Sequence, residues 1–141
     1  MTNNHSTDGK QMMLLHLLSF IFTQTFVIFV AIIWFVVYLS KDSGPAFILS
    51  EEINNLLLFF SGLLLIGSIA LRGVIQKALH KNEKSFLIAH IVTLGIREGG
   101  VIIAFFVSFA NHSVMPATYA AVVGIILNII TWPKKSDIVV K

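Results

Sequence analysis

Four stretches of mainly apolar residues divide this sequence, and they constrain its fold more than any other feature. They run from Met12 to Leu39, from Ile53 to Leu71, from Phe86 to Ala110 and from Met115 to Trp132. About 20 apolar residues in an α-helix cross the hydrocarbon core of a bilayer. Each stretch therefore predicts one transmembrane helix. The predicted fold is all-α: a single integral membrane domain over residues 1–141, a four-helix bundle made of two helical hairpins.

The composition agrees with a membrane environment. Only 12% of the residues are charged and 56% are hydrophobic, and the mean hydropathy is +0.86. A soluble domain carries about 25% charged residues. The chain has no cysteine, which excludes disulfides, thiolate metal sites and thiol nucleophiles. It also lacks a Gly-rich phosphate loop and a nucleophile paired with a base, so we predict neither an enzyme nor a metal site.

The positions of the cationic residues predict the orientation in the membrane. Apart from Lys41, the cations outside the apolar stretches lie in the two terminal segments or in the loop between the second and third stretches. These cations are Lys10, Arg72, Lys77, Lys81, Lys84, Lys134, Lys135 and Lys141. By the positive-inside rule, both termini are cytoplasmic, and we expect a multi-pass protein of a bacterial plasma (inner) membrane. The net charge of +3 is thus a sign of topology, and no nucleic-acid partner is predicted.

Small residues indicate where helices pack, because transmembrane helices associate by close contact at small side chains. Gly95 and Gly99 are four residues apart in the third stretch, and Ala117, Ala121 and Gly124 share one face of the fourth. We predict that these five residues pack helices. The alternative is that they form a lateral face on which copies of the chain associate, and the two roles are compatible.

Arg97 and Glu98 are the residues that suggest chemistry. They lie about 18 Å into the third stretch, near the middle of the bilayer. A charge there costs on the order of 2.5–3.5 kcal/mol, so it is by default a functional hypothesis. Neighbouring helical residues point in different directions, and Arg97 shares a polar stripe with His90 and Thr93. We predict that Arg97 contacts Gln24, which lies at similar depth in the first helix.

The second and third stretches resemble the proteolipid, or subunit c, of rotary ATPases, and more closely a set of small four-helix membrane proteins similar to it. In proteolipids a glycine-bearing helix leads through a polar cytoplasmic loop to a helix with one carboxylate at mid-membrane. Here residues 61–70, 72–84 and 93–104 correspond to these three parts, and Glu98 is the carboxylate. Arg97 departs from the proteolipid pattern, in which the acid stands alone.

The resemblance implies that Glu98 binds a proton or a sodium ion and that copies form a ring or another oligomer. The predicted function is therefore a membrane-sector subunit with Glu98 as the ion-binding residue, supported by Arg97, His90, Thr93 and Gln24. The expected partners are the lipid bilayer and further copies or other membrane subunits. No cofactor is expected.

Two other functions are compatible with the same residues. In the first, Arg97 and Glu98 only fix helix packing, and the protein is a non-transporting scaffold or assembly factor. In the second, the protein is a redox subunit that binds a b-type haem. His16 and His90 lie near the cytoplasmic ends of the first and third helices, where two axial imidazoles would be needed.

Overall fold

A computed structural model describes residues 4–40, 48–78 and 83–134, and these residues form four α-helices. The helices are α1 (Asn4–Leu39), α2 (Glu51–Ala78), α3 (Glu83–Ala110) and α4 (Met115–Ile130). The prediction of an all-helical chain is confirmed. Four of the cations used to predict the topology lie outside the described residues: Lys41, Lys81, Lys135 and Lys141. The side chain of Lys84 is likewise not described.

Among the described residues, three helices are long and apolar enough to cross a membrane, which indicates a membrane protein. The qualifying segments are Gly9–Leu39, Glu51–Ala78 and Phe86–Ala110. The fourth helix is apolar but has only 16 residues, a length of about 24 Å. Helix α2 continues past the predicted boundary at Leu71 and ends at Ala78. The more polar residues after Leu71 satisfy their backbone hydrogen bonds by remaining helical.

The turn between α3 and α4 fixes where α4 begins. His112 has φ 53°, the left-handed conformation that commonly ends a helix. Its Nε2 is hydrogen-bonded to Ser40 Oγ at 2.9 Å, which joins the turn to the end of α1. The amide of Ala117 donates to Ser108 Oγ at 2.7 Å and so satisfies one of the free N–H groups in the first turn of α4.

Helices α3 and α4 each pack against all three other helices. At the contact of α1 with α4, a Cβ added to Gly124 would lie 2.8 Å from the ring of Phe26. At the contact of α2 with α3, a Cβ added to Gly100 would lie 3.0 Å from the Ser61 carbonyl oxygen. The buried apolar cluster between the helices consists of Phe26, Leu65, Val101, Ala104, Ala120, Ala121 and Leu127.

A buried arginine and an outward-facing carboxylate

Arg97 projects from the inward face of α3 toward the end of α4 and is fully buried, with 0% of the residue exposed. Its Nε donates to Ser68 Oγ of α2 at 2.8 Å. Its Nη1 donates to Asn128 Oδ1 at 3.0 Å and to Thr131 Oγ1 at 2.7 Å, in the last turn and the C-cap of α4. The guanidinium therefore ties α3 to α2 and to the end of α4.

The acceptors around Arg97 are oriented by their own hydrogen bonds. Ser68 and Thr131 each donate their hydroxyl proton to a carbonyl one turn earlier in the same helix. Asn128 donates its Nδ2 to Thr23 Oγ1 of α1 at 3.1 Å. Because these donors are used elsewhere, the oxygen lone pairs face the guanidinium. Through Asn128 and Thr23 the network reaches all four helices.

The end of α4 attracts a second guanidinium. Arg72 of α2 donates its Nη1 to the Thr131 carbonyl oxygen at 2.7 Å, and its Cζ lies 5.1 Å from the centroid of the Phe86 ring. A helix C-terminus carries a partial negative charge of roughly half an electron. Arg97 reaches this end because side chains on a helix tilt toward its N-terminus. The two arginines thus meet at one residue, Thr131.

The predicted contact between Gln24 and Arg97 is wrong. Gln24 is exposed, and the acceptors of Arg97 come from α2 and α4. Helix α1 is rotated so that Thr23 and Phe26 face inward. Because successive helical residues differ by about 100° in direction, Gln24 then points away from the polar network. The first helix joins the network through Thr23.

His90 and Thr93 lie on the same buried face of α3 as Arg97, with 1% of each side chain exposed. His90 Nε2 is hydrogen-bonded to Ser19 Oγ of α1 at 2.8 Å, and the imidazole stacks on Phe86. Thr93 Oγ1 donates to the carbonyl of Ala89 at 2.6 Å. These two residues therefore extend the polar interior beside Arg97.

The geometry of the two histidines does not suit a haem. His16 Nε2 is hydrogen-bonded to the carbonyl oxygen of Pro133 at 3.1 Å, and its ring stacks on Trp132. The same atom of His90 is bonded to Ser19. Axial ligation needs two imidazole nitrogens directed into one shared space, whereas each Nε2 has a separate protein partner.

Glu98 lies about 100° around α3 from Arg97 and is turned away from the network. It is half-buried and shares the outward face with Ile91, Gly95 and Ile102, all of which are exposed. Within the described part of the chain it makes no hydrogen bond or ion pair. It lies about 18 Å along α3 from Ala110. Glu98 thus places an unpartnered carboxyl on the outer surface of a candidate membrane span, and it does not meet Arg97.

Gly95 and Gly99 do not pack against another helix of residues 4–40, 48–78 and 83–134, contrary to the prediction. A Cβ added to either glycine would have no neighbour within 4 Å. Arg97 lies on the inward face of α3, where Gly100 is the glycine that packs closely against α2. Gly95 and Gly99 leave open space beside Glu98. The small residues of α4 behave differently, since Ala117, Ala121 and Gly124 are buried.

Sequence reasoning missed the groups that surround Arg97. It assigned no partner role to Ser68, Asn128 or Thr131, and it used Arg72 only as a cation that indicates topology. The signal was the spacing of Asn128 and Thr131, which are three residues apart and share one face of an otherwise apolar helix. A polar pair at the end of a transmembrane helix indicates a buried polar partner at that depth.

No family model, curated protein or solved structure matches this chain. The resemblance to proteolipids therefore stays a prediction.

Proposed function

We propose that this protein is a proteolipid-like membrane-sector subunit in which Glu98 binds a proton or a cation at a contact between copies. The four helices form a bundle in the plasma membrane, with both termini in the cytoplasm. The observation that supports this function is the place of Glu98: at the centre of α3, on its outward face, without a partner in the described chain.

A bare carboxylate facing hydrocarbon is unfavourable by on the order of 2.5–3.5 kcal/mol. A proton or a bound cation removes that charge, and a second protein surface removes the contact with lipid. Gly95 and Gly99 flank Glu98 and leave room for another backbone to approach closely. An interface between copies at this face would enclose the carboxyl and give it partners.

The inward position of Arg97 supports ion binding by Glu98. A guanidinium in contact with the acid would hold it as an anion and oppose its neutralisation. Arg97 instead donates to Ser68, Asn128 and Thr131. The carboxyl is therefore free of a fixed counter-charge from its neighbour in sequence, and Arg97 acts as a residue that positions helices.

The network around Arg97 favours a second candidate function, a membrane scaffold. Its hydrogen bonds link all four helices, which is what a protein of purely structural role requires. In that case Glu98 would only provide a polar contact to a neighbouring subunit, with no exchange of ions.

Labelling with a lipid-soluble carbodiimide tests the proposal, because this reagent modifies protonated carboxyl groups inside membranes. In membranes containing the protein, mass spectrometry should find the adduct on Glu98, with less modification as the pH rises. Glu98→Gln should abolish the adduct. Glu52→Gln, which removes an exposed carboxyl at the far end of α2, should leave it unchanged.

Ion uptake by proteoliposomes separates the two candidate functions. Glu98→Gln keeps the shape and hydrogen-bonding capacity of the side chain but cannot titrate. Loss of proton or sodium uptake with intact folding supports the ion-binding subunit. Unchanged uptake, or the absence of any adduct on Glu98 across the pH range, would leave the scaffold as the function.

A further inference from the structure

Glu98 has a polar counterpart on the outer surface of α1, the side chain of Gln24. Gln24 is the middle residue of the candidate span Gly9–Leu39, and Glu98 is the middle residue of the candidate span Phe86–Ala110. Gln24 is exposed and, like Glu98, forms no hydrogen bond within the described residues. Each residue thus presents an unpartnered polar group to the hydrocarbon core, where no water is available to satisfy it.

The two residues lie at nearly the same depth in the bundle. Two hydrogen bonds, one toward each end of the pair, join α1 to α3 and connect residues 71 and 72 positions apart in sequence. The bonded pairs are Ser19–His90 and Ser40–His112. The helices therefore run in the same direction, and this offset places Gln24 level with Gly95. Glu98 lies only three residues further along, or about 4.5 Å.

The chemistry of the two groups favours a contact between α1 of one copy and α3 of another. Such a contact would bring an amide to a carboxyl and satisfy both. A contact of α3 with α3 of a second copy would instead bring two Glu98 side chains together, and two carboxylates repel each other. The outward face of α3 is therefore better matched by α1 than by itself.

The shapes of the two faces are complementary as well. On α3, Gly95 and Gly99 leave open space beside Glu98, and a glycine surface allows a second helix to approach closely. On α1, the residues three and four positions from Gln24 on either side are large and exposed. They are Phe20, Ile21, Val27 and Ile28. The bulky face of α1 thus fits the open face of α3.

We infer that Gln24 of a neighbouring copy completes the Glu98 site, by a hydrogen bond between its side-chain amide and the carboxyl. An amide donates to an ionised carboxylate through its nitrogen and accepts from a protonated carboxyl through its oxygen. It therefore pairs with both forms of Glu98 that proton exchange requires. The inference rests on the association of copies in the proposed function and names the residue that the second copy contributes.

Cysteine cross-linking between copies tests this contact, in a chain that has no cysteine of its own. Ile28 and Ile102 are exposed and lie about one helical turn beyond Gln24 and Glu98. Membranes containing a mixture of Ile28→Cys and Ile102→Cys chains should give a heterodimer with a short thiol-reactive cross-linker. Each variant alone should give far less product. Ile66→Cys, at an exposed position of α2, is the control and should not cross-link to Ile102→Cys.

The strength of association gives a second readout. With Gln24→Leu, the Kd between labelled copies in liposomes, measured by energy transfer, should rise roughly 3- to 20-fold, the range for one hydrogen bond between membrane helices. Thr25→Val is the matched control, because the Thr25 hydroxyl donates to the Ile21 carbonyl of its own helix. The effects of Gln24→Leu and Glu98→Leu should not add in the double variant, since both remove the same bond.

The outcomes distinguish this contact from the proposed function. Absence of the heterodimer, or additive effects of the two leucine substitutions, would overturn the Gln24 contact even where carbodiimide modifies Glu98. Cross-linking of Ile102→Cys alone, as efficient as in the mixture, would place α3 against α3 and would also overturn it. A heterodimer that forms without any adduct on Glu98 would support the contact and contradict ion binding.

Discussion

At the scale of the residue, Arg97 and Glu98 show how one step along a helix separates two environments. Their directions on α3 differ by about 100°. Arg97 lies among oxygens of α2 and α4, whereas Glu98 lies on the outer face between exposed apolar residues. The two adjacent charges thus lie in different surroundings: the arginine links helices through hydrogen bonds, and the acid lies on the outer face, where the proposed function requires it.

The acceptor that Asn128 provides should be important for stability. Asn128→Leu preserves volume but leaves the buried Arg97 with one hydrogen-bond acceptor fewer. Hydrogen bonds to charged groups contribute about 1.5–3 kcal/mol, and we expect the free energy of unfolding in detergent to fall by that amount. Asn55→Leu, at an exposed position of α2, is the control and should change it little. An equal effect of both substitutions would contradict the role of Asn128.

The contact between Gly124 and Phe26 should not tolerate a methyl group. A Cβ at position 124 would lie 2.8 Å from the Phe26 ring, which is fully buried. Gly124→Ala should destabilise the protein by about 1–3 kcal/mol. Gly67→Ala is the control, because a Cβ there meets nothing within 4 Å.

A double substitution distinguishes this clash from a general loss of stability of helix α4. Adding Phe26→Leu to Gly124→Ala should restore part of the stability, since the smaller side chain makes room for the methyl group. If the changes in the free energy of unfolding caused by the two single substitutions simply add in the double variant, the proposed clash between the methyl group of Gly124→Ala and Phe26 is contradicted.

At the scale of the element, α3 is the helix with two different faces. Its inward face carries His90, Thr93 and Arg97, and packs against all three other helices. Its outward face carries Glu98 between Gly95 and Gly99, where no other part of the described chain comes close. The outward face of α3 is therefore the surface on which association of copies can be tested.

Gly99→Ile should block association of copies without unfolding the chain. The added side chain would occupy open space in one copy but would prevent the close approach of a second helix. Light scattering of the purified protein should show a shift of the molar mass toward the monomer, while Tm stays within a few °C of the wild type. Gly67→Ile, on the open face of α2, should leave the mass unchanged. An unchanged mass for Gly99→Ile would exclude this face as an interface.

At the scale of the whole molecule, the two ends have different character. The end at which α1 begins and α4 finishes contains Arg72, Arg97, His16 and His90 in polar contacts. Between that end and the turn after α3 lies the apolar cluster around Phe26. The buried polar side chains around Arg97 and His90 therefore lie in the half of the molecule that the positive-inside rule assigns to the cytoplasm.

The orientation can be measured directly because the sequence has no cysteine, so single cysteines need no altered background. With both termini cytoplasmic, a membrane-impermeant maleimide should label Ser50→Cys and Asn111→Cys in intact cells. Lys77→Cys and Lys134→Cys should react only after the membrane is permeabilised. All four positions are exposed. The reverse pattern would invert the topology and place the two arginines in the outer half of the membrane.

The sequence by itself determined the number and type of the elements, because segregation of apolar residues into long runs leaves helices in a membrane as the stable solution. It also determined that the third helix carries two adjacent charges near the middle of its length. It did not determine helix rotation, since Gln24 and Thr23 are adjacent in sequence and equally plausible as partners.

Only the tertiary structure decided which face of each helix points inward. Packing of Phe26 on Gly124 and of Gly100 on Ser61 sets the rotations of all four helices. Those rotations bring Ser68, Asn128 and Thr131 to Arg97 and turn Glu98 outward. The physical reason is that helix formation depends on local hydrogen bonds and hydropathy, whereas rotation depends on close contacts between residues far apart in the chain.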